Sequence, residues 1–539
     1  MIVGMFDTGI SLDCPSFNDS GYGPPPPTWK GKCVTGANFT GCNNKVIGAK
    51  FFNLQNSPEP NFSPAHDQGH GTHTSSTAAG MPVRGASLEG IGGGTARGGV
   101  ARARIAMRDS KEVFSDPVAI GAFQAMKRGI ITSCSAGNSG PATMTVENVA
   151  PWILTVAASN PDRLFTTVVD LGDGHKVEGM SINTFTPEKK IYPLVEPLLP
   201  TLQKAAMAMP DYSTTTLIPA VYVYSNTTGK TIDLYINSTK DAQAVIQKVK
   251  STRGPAPFVA SFSSRGPQSI STNILKVIMI IYLYLVLFAL VFYVQPDLTA
   301  PGVDILAGYS KLATLSGDPE DSRRNVFNIL SGTSMACPHA AGAATYVKSF
   351  LPHWSPAAIK SALMTTATPM RINDITVELG SGSGQNNPVK ALDPGLLYNN
   401  NIDSYIAFLC KEGYYSSSIG IIIGTKGFDC SGIDPAQGTD GINYPSMHTQ
   451  IIPNGSISAI FYRSVTNVGL GNSTYRAKVT SPKGLSIKVI PDTLIFSGVK
   501  VMLKGPPVPK ESNLLSASLE WNDSQHNIRS PIVVYKRTL

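Results

Sequence analysis

Twelve residues, 331–342, constrain this chain more than any other stretch: Ser331-Gly-Thr-Ser-Met-Ala-Cys-Pro-His-Ala-Ala-Gly342. Gly332 frees the backbone for a sharp approach, and Pro338 suits the first turn of a helix. Residues 340–347 are mostly small and apolar, as a helix packed tightly on every side requires. Ser334 then stands at a helix start, where unbonded N–H groups and the helix dipole favour developing negative charge. Such a serine is either the cap of a buried helix or a nucleophile that generates an oxyanion. The remaining sequence decides between the two.

Apolar runs and helical patterns alternate through the first part of the chain. Residues 2–6 read as a buried strand delivering Asp7-Thr-Gly9 at its C-terminal end, and 46–52 and 100–107 read as further strands. Residues 70–80 predict a helix that opens on His70 and is stopped by Gly80. An amphipathic helix is expected over 116–128, a strand over 130–135 running into Ala-Gly-Asn138, and another over 152–159. Strands alternating with helices argue for α/β architecture, a parallel sheet covered on both faces. Sites in such sheets lie beyond the carboxyl ends of the strands, where Asp7 and Asn138 fall. From about Leu164 hairpins take over, with Leu-Gly-Asp-Gly174 as a turn, and no clear periodicity follows up to Val249. Strand chemistry resumes at 258–267 and 296–306, and Ser355-Pro opens a capped helix. After Gly441 only short strands remain (456–465, 473–479, 486–489 and 516–521), which reads as a β-sandwich.

A chain of 539 residues has room for about three domains with cores of their own. Its 42% hydrophobic and 15% charged content describes a loop-rich globular protein. The net charge of +8 is spread without Lys/Arg blocks or interleaved aromatics, so no nucleic-acid interface is expected. Among the 7 cysteines, Cys33 and Cys42 flank a short loop and can pair, as can Cys410 and Cys430, with Cys14, Cys134 and Cys337 left over. N-x-S/T sequons at Asn18, Asn38, Asn61, Asn226, Asn237, Asn454, Asn472 and Asn522 suit a secreted glycoprotein. Against that, residues 1–6 have no basic region and run straight into Asp7, so they read as no signal peptide and as a cut start. Residues 277–294 lack charge, Gly and Pro, and reach the length of a membrane span. A span there would put His70 and Ser334 on opposite sides of a bilayer. An anchor and an assembled site exclude each other, and the stretch is read as an insert.

Asp7, His70 and Ser334 occur in that order, each in a Gly-flanked turn or at a helix start. A serine attacking a carbonyl needs a base for its proton, which an imidazole supplies near neutral pH. A buried carboxylate fixes the tautomer of that imidazole. Asn138 is the side-chain candidate, and the Ser334 N–H the backbone one, for a donor to the developing oxyanion. Other readings fall away. An aspartic protease needs a second Asp-Thr-Gly, and a metal site at His70 and His73 needs a third ligand or an H-E-x-x-H pattern, so neither metal nor cofactor is expected. His73 is read as a structural core histidine.

The blocks Phe6-Asp-Thr-Gly9, His70-Gly-Thr-His73, Ser135-Ala-Gly-Asn138 and Gly332-Thr-Ser-Met-Ala336 together resemble the signature of subtilisin-like serine proteases. The segments Tyr22-Gly-Pro-Pro-Pro, Cys42-Asn-Asn-Lys-Val-Ile-Gly-Ala49, 258–267, Pro296-Asp-Leu-Thr-Ala-Pro-Gly302, Ser516-Ala-Ser-Leu-Glu-Trp521 and Ser530-Pro-Ile-Val-Val534 are similar to the plant cucumisin-like branch. The resemblance implies an extracellular serine endopeptidase acting on proteins or peptides through an acyl-enzyme. Asp7, His70 and Ser334 would be its triad and Asn138 its oxyanion donor. It also implies a subtilisin-like parallel sheet with helices on both faces (1–165 and 256–375) interrupted by a protease-associated remnant (166–255). A linker with a helical segment (376–440) and a fibronectin-III-like sandwich (441–539) would follow. The departures matter as much. No propeptide precedes Met1, and only Asp109-Ser-Lys-Glu-Val113 stands where the family has a helix, a strand and a cleft-lining segment. A parallel crossover needs about a dozen residues, so one strand is expected to be missing. The apolar insert lies between Lys276 and Pro296, and the last domain looks shortened near 499–504. A catalytically silent remnant is therefore the alternative to an active peptidase.

Overall fold

The computed structural model describes residues 1–52, 63–65, 67–109, 117–186, 191–194, 213–223, 226–267, 296–370, 375–451, 456–469, 473–495, 499–505, 514–523 and 525–536. The short link after Asp109, the apolar stretch 277–294, part of the expected remnant at 166–255 and the sequons at Asn61, Asn454 and Asn472 lie outside the described residues. In chain order the elements begin with β1 (Ile2–Asp7), β2 (Val46–Lys50), α1 (His70–Ala79), β3 (Val83–Leu88), β4 (Ile91–Ala96) and β5 (Arg104–Asp109). There follow α2 (Pro117–Met126), β6 (Thr132–Ser135), β7 (Ile153–Ser159), β8 (Arg163–Leu171), β9 (Lys176–Met180), β10 (Tyr192–Pro193), α3 (Asn226–Ser238), β11 (Gln243–Ile246) and β12 (Lys250–Arg253). Next come β13 (Leu298–Pro301), β14 (Ile305–Gly308), β15 (Phe327–Leu330), α4 (Thr333–Phe350) and α5 (Pro356–Thr365). The chain closes with α6 (Ile375–Ser381), β16 (Leu396–Tyr398), α7 (Ile402–Lys411), α8 (Ser416–Ile423), β17 (Met447–Ile451), β18 (Ile457–Arg463), β19 (Val465–Asn467), β20 (Tyr475–Thr480), β21 (Ser486–Ile490), β22 (Thr493–Leu494), β23 (Val499–Gly505), β24 (Leu514–Asn522) and β25 (Asn527–Lys536). Two compact units result: residues 1–112, 158–261 and 301–342, and residues 113–157, 262–300 and 343–539.

In the first unit β5 lies between β1 and β2 in a parallel sheet, with Asp7 opposite Asp109 at the carboxyl end. Val3, Val46, Ala49, Ile105 and Met107 pack with Ala78 and Ala79 of α1 on one face, while Ile2, Gly4 and Phe6 of β1, expected as a buried strand, are exposed. The strand expected from residue 100 starts only at Arg104, because 100–103 is a turn closed by the Ala103 N–H on Val100 O at 2.8 Å. The β3–β4 hairpin was not anticipated. Its two central residues, Glu89 (φ 50°) and Gly90 (φ 85°), are both left-handed, the geometry that favours Asn-Gly or Asp-Gly, and glutamate hides it. β8 and β9 form the expected hairpin, within a five-stranded sheet that includes β10, β11 and β12. Helix α3 was also unforeseen. Its Thr, Gly and Asn have weak helix propensity, and Ile232 and Tyr235 packed on Val169, Leu171 and Ala244 supply the missing stabilisation.

The second unit has a three-stranded sheet, β13-β7-β6, in which β6 and β7 run parallel and β7 is buried throughout. Trp152 packs edge-on against Phe123 of α2 and Tyr405 of α7, with Ile419 and Ile422 of α8 in the same cluster. Most of 258–267 is loop where a strand was expected, with one bridge, Ser159 to Val259. Its polar side chains bond neighbouring backbone instead: Ser264 Oγ accepts the Ser139 N–H at 3.1 Å, and Arg265 donates to Ser263 O at 2.6 Å. After Gly441 two sheets, β17-β25-β24-β20-β22 and β18-β23-β21, enclose Phe461, Tyr475, Trp521 and Ile528. β18 alternates buried and outward residues, as a sandwich strand must. Residues 499–505, where a shortening was expected, form β23 at the centre of its sheet. Among the described residues no helix is long and apolar enough to cross a membrane.

Candidate active site

Asp7 ends β1, and Gly9 (φ 110°) turns the chain away from the sheet. Helix α1 begins at His70 behind Gly69 (φ 70°). The turn and the helix touch backbone to backbone: a Cβ at Gly71 would lie 2.1 Å from Gly9 O. Threonines pin this contact. The Gly71 N–H donates to Thr8 Oγ1 at 3.1 Å, and the Ser11 N–H donates to Thr72 Oγ1 at 3.0 Å. On that platform His70 Nδ1 lies 2.6 Å from Asp7 Oδ1, which also accepts the Thr8 N–H at 2.7 Å. Asp7 Oδ2 accepts the Thr74 hydroxyl at 2.7 Å.

Burial raises the Asp7 pKa, but the His70 hydrogen bond and charge, with the Thr8 and Thr74 donors, outweigh it and hold the carboxyl below its ordinary value. Burial lowers the His70 pKa, but the bond to Asp7 and its charge carry it above the ordinary 6.5. An ionised carboxylate only accepts. The neutral imidazole therefore keeps its proton on Nδ1, and the Nε2 lone pair is the available base. His73 differs: fully buried, with its Nε2 donating to Ile305 O at 2.9 Å and facing Asn328 O at 3.3 Å, it has its pKa pushed by burial to about 3. It pins α1 to β14 and β15 as a neutral core histidine. Among the described residues no group of His, Cys, Asp and Glu is arranged to hold a metal ion.

Ser334 lies in the first turn of α4, half-buried and in the same unit as Asp7 and His70. The helix starts earlier than expected. Pro338 falls inside it rather than in its first turn, because the chain turns helical directly after Gly332. Proline lacks the N–H that would have bonded the Ser334 carbonyl. The Ser334 N–H, second in the helix, likewise has no intrahelical acceptor. The approach is braced by the Gly332 N–H on Gly302 O at 2.8 Å, and by Ser331 Oγ, which accepts the Asp304 N–H at 2.9 Å and donates to Asp304 Oδ1 at 3.1 Å. Gly342 lets α4 approach α1: a Cβ there would meet Gly99 Cα at 3.3 Å and Ala78 O at 3.5 Å. The structure thus joins Asp7 to His70; among the described residues Ser334 makes no hydrogen bond to His70. Catalytic contacts of this kind are often long without substrate.

Asn138 is exposed just past β6 in the second unit, after Gly137 (φ 97°). Cys33–Cys42 and Cys410–Cys430 are disulfide-bonded, and Cys14 is buried. Asn18, Asn38 and Asn237 are exposed and Asn522 half-buried, while Asn226 opens α3. Sequence reasoning missed Thr8, Thr72 and Thr74; the signal for the last was its place four residues after His70.

Residues 1–384 match the model of the Subtilase family, peptidase S8, and residues 441–534 that of the Fibronectin type-III domain. Subtilisin-like protease SBT4.15 of Arabidopsis thaliana is 46% identical over 643 residues, covering 99% of this chain and 81% of that protein. Subtilisin-like protease SBT4.14 of the same plant is 41% identical over 631 residues, covering 100% and 81%. Both alignments are longer than the 539-residue chain, so positions inside the matched span of these relatives have no counterpart here. With the aspartate and histidine blocks bonded together inside the matched region, the chain belongs to the subtilase family of plant subtilisin-like serine peptidases, with a fibronectin type III domain behind the peptidase region.

Proposed function

We propose that this chain is a serine endopeptidase with Asp7, His70 and Ser334 as its triad. Ser334 Oγ bonds to the peptide carbonyl carbon while its proton passes to His70 Nε2. The tetrahedral oxyanion collapses, the C–N bond breaks, and the leaving amine takes that proton from the imidazolium. Water, deprotonated by the same Nε2, then hydrolyses the acyl-enzyme. The Ser334 N–H and the Asn138 side chain are the oxyanion donors in this reading. The observation that carries it is the 2.6 Å contact between the half-buried Asp7, its carboxyl held below the ordinary value, and His70 Nδ1, which leaves Nε2 as a base. Its substrates are proteins or peptides and its setting is extracellular, with glycans on exposed sequons. No metal or cofactor enters the chemistry. The peptidase region comprises 1–165 and 256–375 around a protease-associated remnant at 166–255, with the linker 376–440 and the sandwich 441–539 behind.

A fluorophosphonate probe tests this directly. Labelling mapped to Ser334, and lost in Ser334→Ala, supports the peptidase; folded protein that stays unlabelled sinks it. The second reading, a silent remnant, is favoured by one observation. Positions of the relatives are missing inside the matched span. It predicts no labelling at all.

A further inference from the structure

Thr74 lies one turn beyond His70 on α1, and four residues apart is the spacing that sets two side chains on one helical face. Its hydroxyl reaches Asp7 Oδ2 at 2.7 Å, while Oδ1 is shared by His70 Nδ1 at 2.6 Å and the Thr8 N–H at 2.7 Å. We propose that Thr74 is a positioning residue for the peptidase reaction, locking the Asp7 carboxylate so that Oδ1 stays turned toward the imidazole. The proposal rests on the triad reading above.

The carboxylate torsion is broad and roughly two-fold, so donors on Oδ1 alone leave it free to swing. A donor on Oδ2 closes that freedom. Thr74 is 2% exposed, which leaves water little access to replace the bond. The hydroxyl has an alternative acceptor in Gly71 O at 3.3 Å, the back-bond open to any helical threonine. The contact it makes with Asp7 is shorter and charge-assisted. A threonine kept for packing alone would be replaceable by valine without loss.

The test compares Thr74→Val, of the same shape without the donor, with Thr74→Ser, which keeps it, both in the full chain. The readouts are kcat and KM on a peptide substrate, the pH profile of kcat/KM, and the His70 titration followed by NMR of the imidazole protons. In Thr74→Val the carboxylate is free to turn away from the imidazole, and the bond and charge that raise the His70 pKa weaken. The acid limb and the His70 titration move down toward 6.5, and kcat falls roughly tenfold with KM unchanged. Thr74→Ser restores both. Wild-type kcat and titration in Thr74→Val, or equal impairment in Thr74→Ser, overturn the proposal; should the valine chain not fold, Thr74→Ala is read in its place. The titration needs no turnover. A chain that a fluorophosphonate never labels, yet whose His70 titration shifts in Thr74→Val, retains the positioning role and loses the peptidase reading.

Discussion

His70 owes its chemistry to the group on its far nitrogen. Burial opposes protonation, and the bond and charge of Asp7 overcome it, lifting the imidazole above the ordinary 6.5. In the proposed reaction only the neutral ring can take the Ser334 proton, so activity is expected to be lost as pH falls through the raised value. The acid limb of kcat/KM on a peptide substrate is therefore expected above pH 6.5. Asp7→Asn removes the charge, so that limb moves down, and a carboxamide that favours the wrong tautomer lowers kcat by about 10⁴-fold. A limb that stays where it was in Asp7→Asn contradicts the coupling. The meeting of Asp7 and His70 was legible because each sits in a short run of Gly and small polar residues that spells a turn or a helix start. Thr74 was not. A threonine inside a helix has several bland uses, and only the distance to Asp7 separates this one from them.

Helix α1 and the turn after β1 form a unit whose tolerance is set by Gly71. A methyl group there would sit 2.1 Å from Gly9 O and 2.9 Å from Gly9 N. Both obstacles are backbone, so no side chain can move aside, and the helix must back away from the turn. Gly71→Ala is expected to cost about 1–3 kcal/mol in denaturant unfolding. With the His70–Asp7 bond stretched, the His70 titration should fall back toward 6.5. Parental stability with an unshifted titration would refute this account of the glycine. Gly342→Ala should be milder, since its methyl group meets Gly99 Cα at 3.3 Å, within reach of a small relaxation. Elements with strong periodicity or caps, such as α5 and β18, could be read in advance. Those decided by tertiary contact could not: β3–β4 turns on a left-handed glutamate, α3 is held by its packed face, and 258–267 satisfies its backbone with side chains.

At the scale of the molecule, the second unit is held by charges that no local pattern announces. One carboxylate gathers distant parts of the chain: Asp297 Oδ2 accepts the Thr155 N–H at 2.7 Å and lies 2.8 Å from Lys360 Nζ, and Oδ1 accepts the Tyr444 hydroxyl. This ties the peptidase-matched region to the start of the fibronectin-matched one. A second tie is His526, in the turn between β24 and β25. Its Nδ1 lies 2.8 Å from Asp523 Oδ2 and its Nε2 3.1 Å from Asp393 Oδ1, just before β16, with the Tyr475 ring 6.5 Å away. An imidazolium has an N–H for each of these two carboxylate oxygens. Burial lowers the His526 pKa, but its bonds to Asp523 and Asp393 and their charges raise it overall. Burial raises the Asp523 pKa, and the His526 and backbone donors bring it down to about 2. The signs then fix a window. The histidine contribution is complete below 6.5 and lost as pH rises through the raised folded value. The aspartate contribution is present above its ordinary 3.8 and lost as pH falls toward about 2. Asp393 is 71% exposed, so water screens its share and most of the effect belongs to Asp523. Unfolding followed by the fluorescence of Trp521, buried in the sandwich core, should show a melting temperature that declines as pH rises above 6.5. His526→Gln should start lower and lose most of that decline, its neutral amide having no proton to lose. If the variant keeps the parental slope, some other group titrates there, and the charged imidazole does not hold the β24–β25 turn to the segment before β16.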